Sequence, residues 1–400
     1  MRWLLLLSLM WAQDTLRFMA YNLLSYGATP GYCNTSCKDL QLRTIIDFVR
    51  PDVIGVNEIA PSPALVRRIL DSVLNIGGVS YWRSSQYANT VNSDIVNALF
   101  YDSRRLEWLG QELVTTQGGL REVYAYHLYY KEPEPIMDTL FLVVIVSHLK
   151  AGDSPSDQQT RAQAAVAIKN YIQSLPPARR RFLVEMGDHN LYGDSEAAYQ
   201  TLTDVLVDPG PAGPWSNNPD YAFFHTQSTR TTALADGGVG GGLDDRFDFI
   251  LFSPECTTAT ARARYISGTF KVIGQDGQRF KQAVNASPLP AGYPSSVINA
   301  LYAMSDHLPV IADFALSVTP ATSISYVPHA PRTPYTCEVS QGSVSFTGLA
   351  PCTVSVLDVW GRLLSRITLD IGEKQTMVLP TGLYLLWTEG GYSQRIFVLP

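Results

Sequence analysis

The chain has 400 residues, of which 46% are hydrophobic, 16% charged and 11% aromatic, and its formal net charge is −6. The composition is globular, and the length is that of roughly two or three domains with ample material for a core. The acidic balance excludes a protein that grips nucleic acid mainly through bulk positive charge, but not an enzyme whose metal ion supplies that charge locally.

The chain begins MRWLLLLSLMWAQD, one Arg ahead of an apolar run and a WAQ tripeptide. Residues 1–13 read as a secretory signal with cleavage near Ala12 or Gln13, and the run is too short to span a bilayer. A buried N-terminal strand or a membrane anchor is the alternative; no Cys follows the run, so no lipoprotein anchor is indicated. Five cysteines suit an exported chain. Cys33 and Cys37 flank NTS in a loop-like stretch, and Cys337 and Cys352 lie together near the C-terminus. Two local disulfides are expected, with Cys256 left over. A metal site on Cys33 and Cys37 has no second Cys or His pair at a useful spacing.

LRFMAYN (16–22) is a short apolar strand. Leu42, Ile45, Ile46 and Val49 recur at helical spacing, and Pro51 stops that helix. DVIGVNE (52–58) is a buried strand; DIVNALFY (94–101) and TLFLVVIVSHL (139–149) are central strands. A helix is predicted over 156–174, with Ala165, Ile168 and Ile172 on one side. RRFLVEMGDHN (180–190) is a strand and then a loop. The Gly-rich DGGVGGGLDDR (236–246) reads as a flexible loop rather than a nucleotide phosphate loop, since no Lys-Ser/Thr follows; Arg230 and Arg246 read as surface charge. RFDFILFS (246–253) and LPVIADF (308–314) are strands. Residues 317–334, rich in Pro, Ser and Thr, form a linker. Residues 335–400 form a small all-β module of antiparallel strands, with a turn at DVWGR.

Strands and helices mix without a strict repeat, yet polar residues collect at the strand ends: Asn22, Glu58, His148, Asp188, Asn190, Asp248, Asp306 and His307. Burying eight such groups is expensive unless they satisfy one another or a metal ion. They are therefore the candidate site. Asp188 and Asn190 stand two apart, which puts both side chains on one side of an extended segment. Asp306 and His307 stand directly before an apolar strand, whose rigid end can hold an ionisable pair in place.

MAYNLL (19–24), VNEIA (56–60), SHLKAG (147–152), MGDHN (186–190), DRFDFIL (245–251) and SDHLPV (305–310) come in the order of the endonuclease/exonuclease/phosphatase superfamily. Residues 14–316 resemble that superfamily. The resemblance implies an α/β fold, a four-layer sandwich of two facing mixed β-sheets with outer helices, joined here to a small C-terminal all-β sandwich. It implies a phosphoric ester hydrolase that uses Mg²⁺, or Mn²⁺ or Ca²⁺ in its place. A secreted nuclease acting on nucleic acid is the leading expectation. A sphingomyelinase-like enzyme acting on phospholipid, or an inositol-phosphate phosphatase, is the alternative on the same fold, and VINALYAM (297–304) is apolar enough to keep a lipid substrate in view. A catalytically decayed binding protein is the alternative of another class; Glu58, Asp188 and His307, all present, speak against decay.

By the same resemblance, Glu58 is a metal ligand, Asn22 supports the metal or phosphate, and Asp306 holds the ion directly or through water. Asp188 deprotonates the attacking water, and Asn190 and His148 donate to the phosphate. Asp248 partners His307, because a neighbouring carboxylate both fixes an imidazole and raises its proton affinity. Asn57 stands where the family has Gln, which bears on the groups around the metal. His189 stands where an apolar residue is usual and is expected to point away. The C-terminal module resembles the sorting domain of the type IX secretion system of Bacteroidota through VLDVWGRLL and LPTGLYLL. That resemblance implies the secretion machinery as a partner and a place outside the cell or on its outer surface. The expected form is a monomer with no transmembrane segment after signal removal.

Overall fold

The computed structural model describes residues 14–28, 31–131, 139–317, 335–340, 342–358, 362–388 and 393–398. The expected signal segment, the linker from 318 on and the middle of the DVWGR turn lie outside them.

Two mixed sheets face each other. The first contains β1 (Asp14–Tyr26), β2 (Val53–Ile59), β3 (Trp82–Ser84), β4 (Val96–Asp102), β10 (Ala263–Tyr265), β11 (Lys271–Val272) and β12 (Val310–Leu316), in the order β10-β12-β1-β2-β4-β3 with β11 beside β12. The second runs in chain order from β5 (Leu106–Thr115) through β6 (Val123–Tyr130), β7 (Phe141–His148) and β8 (Leu183–Asp188) to β9 (Asp248–Phe252). Side chains alternate across each strand. Phe18 and Ala20 of β1 therefore share one buried core with Val144, Val146, Val184, Met186 and Ile250 of the facing sheet. At Gly55 the sheets come so close that a Cβ would lie 2.7 Å from Met186 Cε.

Helices α1 (Thr35–Val49), α2 (Pro63–Ile69) and α6 (Ser295–Met304) pack on the first sheet; α3 (Pro155–Ser174), α4 (Pro177–Arg180) and α5 (Ala197–Thr203) lie on the second. The four layers are those expected. The Asn34 side chain caps α1 by accepting the Cys37 N–H, and Arg50 ends it in the left-handed conformation just before Pro51. The segment VINALYAM is part of α6. Val297, Ile298, Leu301 and Met304 are buried on it, so its apolar character serves the core rather than a lipid surface.

The C-terminal module contains β13 (Tyr335–Ser340), β14 (Ser343–Gly348), β15 (Cys352–Leu357), β16 (Leu363–Leu369), β17 (Lys374–Val378), β18 (Gly382–Thr388) and β19 (Ser393–Val398). They form two sheets, β13-β14-β17 and β16-β15-β18-β19, around a core that includes Val344, Phe346, Val354, Val356 and Leu386.

Three expectations are corrected. Cys33 and Cys37 are joined, but Cys337 on β13 and Cys352 on β15 belong to different sheets and are thiols. Arg230 and Arg246 are not surface charges; both are buried, paired with Asp236 and Asp208 respectively at 2.8 and 2.6 Å. The Gly-rich segment is pinned accordingly, for the Val239 N–H also donates to Asp306. Among the described residues no helix is long and apolar enough to cross a membrane.

Candidate active site

Strand direction gathers the polar residues. β1, β2, β7 and β8 end at one edge of the sandwich, while β9 and the approach to β12, running antiparallel to their neighbours, begin there. Register does the rest. His148, Asp188 and Asp248 face one another in a row across β7, β8 and β9, and Asn22 stands opposite Asn57 in the other sheet. Gly187, just before Asp188, has φ 144°, and a Cβ there would lie 1.9 Å from the Ser147 carbonyl oxygen, so only glycine lets β8 approach β7 so closely.

Asn22 joins the two halves. Its Nδ2 donates to Glu58 Oε1 at 3.0 Å and to Asp188 Oδ2 at 2.9 Å, while its Oδ1 accepts the Leu24 N–H at 2.9 Å. An amide nitrogen is a donor only, so in this arrangement Asn22 ties the Glu58 and Asp188 carboxylates together. His148 Nε2 lies 3.4 Å from Asp188 Oδ2 and 3.9 Å from Glu58 Oε1. His307 Nδ1 lies 2.8 Å from Asp248 Oδ2, as expected, and its Nε2 lies 3.6 Å from Asp188 Oδ2. The Asn190 N–H donates to Asp188 Oδ1 and its Nδ2 to the Leu149 carbonyl. Asp306 Oδ2 accepts the Val239 N–H at 2.8 Å and also Gln227 Nε2 at 3.4 Å, which ties it both to the Gly-rich loop and to the amide beside His307.

His189 points away, as expected, to Glu185 beneath the site at 2.8 Å. Asn57 bridges the sheets: its Oδ1 accepts the Asp188 N–H at 3.0 Å and its Nδ2 donates to the Ser147 carbonyl at 3.0 Å and to Asn97 at 2.9 Å. The shorter amide thus still orients the site. Leu24, Ser25, Glu58 and Asn190 all have positive φ, between 50° and 60°. This conformation costs energy in non-glycine residues and clusters at functional sites.

Burial pushes the Asp188 carboxyl up to about 7. For His307 burial opposes the charge, but the Asp248 and Asp188 carboxylates outweigh it and hold the ring well above its usual value. His148, buried and near Arg121, His307 and His189, is held well below its usual value and is neutral.

Glu58, His148 and Asp188 each offer a ligand atom, and these atoms lie within 4.8 Å of one another. Two carboxylates, one of which burial keeps from ionising readily, and a neutral imidazole fit a divalent cation. Of the expected Glu58, Asn22 and Asp306, this set shares Glu58; Asn22 bonds two of its carboxylates, and Asp306 bonds the Val239 N–H.

Sequence reasoning missed Arg121. It precedes β6, feels the Asp188 and Glu58 charges, and keeps a buried Nε without a hydrogen-bond partner. It also missed Gln227, whose Nε2 lies 2.7 Å from His307 Nε2, and Gln117, which donates to the His148 carbonyl at 2.9 Å. No motif or spacing marks any of the three.

No family model matches the chain, and no curated protein matches it. Solved structures do resemble it. The endonuclease/exonuclease/phosphatase from Bacteroides vulgatus is 16% identical, with a TM-score of 0.48 over 76% of this chain and 100% of that one. D. rerio TDP2 complexed with single strand DNA product is 15% identical, with a TM-score of 0.47 over 75% and 99%. The endonuclease/exonuclease/phosphatase from Beutenbergia cavernae is 16% identical, with a TM-score of 0.45 over 96% and 100%.

Proposed function

We propose that the chain is an exported, divalent-metal-dependent phosphodiesterase with nucleic acid as its substrate. One observation carries the hydrolase: the convergence of Glu58, Asp188 and His148 within 4.8 Å, directly beside the His307–Asp248 pair. Export is supported by the N-terminal apolar run and the sorting-like C-terminal module. Nucleic acid is favoured over lipid because the apolar segment VINALYAM is spent on the core.

Glu58, Asp188 and His148 would hold the ion. When bound, it supplies charge neutralisation at the phosphate and eases loss of a proton from water. Asp188 is placed to take that proton, and Asn190 and Asn57 hold its position through Oδ1 and its backbone N–H. His307, kept cationic by Asp248, donates from Nε2 to a phosphate oxygen and stabilises the added negative charge of the transition state. Arg121, whose guanidinium feels the Asp188 and Glu58 charges, adds positive charge near the site that favours an anionic phosphate.

A panel of double-stranded DNA, RNA, sphingomyelin, inositol phosphates and bis(p-nitrophenyl) phosphate, assayed with Mn²⁺, tests this reading. Turnover of a nucleic acid and of the synthetic diester is expected. Turnover of sphingomyelin alone would replace the substrate class, and inertness toward the whole panel would remove the enzyme.

A further inference from the structure

Lys38, on the first turn of α1, is only 4% exposed. Lysines are seldom buried so fully unless paired, and burial pushes this ammonium down to about 8. What holds it is backbone: its Nζ donates to the carbonyls of Leu23 at 2.8 Å and Leu24 at 2.5 Å. These carbonyls belong to the turn that follows Asn22, in which Leu24 and Ser25 both have φ 50°. Such a turn persists only where its surroundings over-determine it. The donors of the same turn face the site. The Leu24 N–H fixes Asn22 Oδ1 at 2.9 Å and the Ser25 N–H fixes Glu58 Oε2 at 3.1 Å. Asn22 in turn bridges Glu58 and Asp188.

We propose that Lys38 is a positioning residue for the cation-binding carboxylates: by clamping two carbonyls it fixes a left-handed turn whose two N–H groups set Asn22 and Glu58. It touches neither substrate nor ion. Without it the Leu23 and Leu24 carbonyls lose a charged donor, the turn relaxes toward ordinary φ, and Glu58 and Asn22 lose their common register. The inference rests on the metal-dependent reading above.

Calorimetric titration of the full chain with MnCl₂ tests it. Lys38→Met, which keeps the stem and removes the donors, is expected to weaken Mn²⁺ binding by roughly 10- to 100-fold, the range seen when partners of metal ligands are lost. At saturating Mn²⁺ its kcat should return close to wild type, which a general loss of structure would not allow. Lys38→Gln, which retains two N–H donors on a shorter stem, should fall between the two and decides the matter if Lys38→Met does not fold. Mn²⁺ affinity within about twofold of wild type in the folded variant would overturn the proposal, given the ~10-fold minimum expected. A wild-type chain that binds no Mn²⁺ would instead remove the reading on which it rests.

Discussion

Asp188→Asn and His307→Asn are each expected to lower kcat on bis(p-nitrophenyl) phosphate by about 10³-fold or more, since each removes a proton acceptor or a charged donor made for the transition state. Asp188→Asn keeps the side-chain shape and the oxygen that accepts the Asn190 N–H, but it cannot take a proton from water. It also relieves a buried carboxylate that resists ionisation but sets an amide nitrogen opposite the Asn22 donor, so Tm is read beside kcat. For His307 the choice of substitution matters. Asp248 is buried, and His307 Nδ1 is the partner of its Oδ2. Truncation to Ala would strand that carboxylate at a cost of roughly 3–5 kcal/mol and confuse catalysis with stability. Asn sets its amide nitrogen where Nδ1 stood, so Asp248 keeps a donor while the cationic ring is lost. Rates near wild type in either folded variant would cancel the role given to that residue.

Chelation is expected to abolish turnover, and Mn²⁺ or Mg²⁺ to restore it. Glu58→Gln should raise the metal concentration needed by roughly 100-fold or more, since it removes a charged ligand rather than a neighbour of one. The same carboxylates tie the ion to stability. Asp188 titrates near 7 in the fold against 3.8 for an ordinary aspartate, so across that window the folded state holds a proton that the unfolded state has lost, and stability falls as pH rises. His307, raised in the fold, contributes stability that is fully present below about 6.5 and is lost as pH rises through its folded value. Both effects have one sign; the buried His148, His127 and His225, all held below their usual value, oppose them only as pH rises through about 6.5. Above that range the unfolded histidines are already neutral, so metal-free protein should melt at a lower temperature near pH 8.5 than near pH 7. Added Mn²⁺ should raise Tm more at the higher pH, and Glu58→Gln should blunt that gain. A metal-free Tm that climbs over this range would contradict the electrostatics assigned to Asp188 and His307.

The strands that carry the site were legible because their apolar runs are continuous and stop at a polar residue: DVIGV before Asn57 and Glu58, FLVVIVS before His148, FLVEMG before Asp188. β5 was not, since LEWLGQELVT is half-buried along most of its length and shows no clean alternation. α6 was seen as an apolar segment but not as a helix, because Pro294 precedes it and no side chain caps it. Pairings across the fold were the least visible. Asp306 sits in a motif beside His307, yet Val239 reaches in from a distant loop and occupies one of its oxygens. Cys337 and Cys352 are near in sequence but stand on different sheets. Arg121 joined the site only through the fold, which brings its charge within reach of Asp188 and Glu58.

The central claim is that Glu58, Asp188 and His148 share one divalent ion next to His307. Anomalous diffraction from a crystal grown with Mn²⁺ addresses it most directly. A single strong peak within bonding range of Glu58 and Asp188 oxygens, ~2–2.5 Å for oxygen ligands of hard divalent ions, is the predicted result. Manganese bound elsewhere, with Asn22 still bridging two unligated carboxylates, would contradict it.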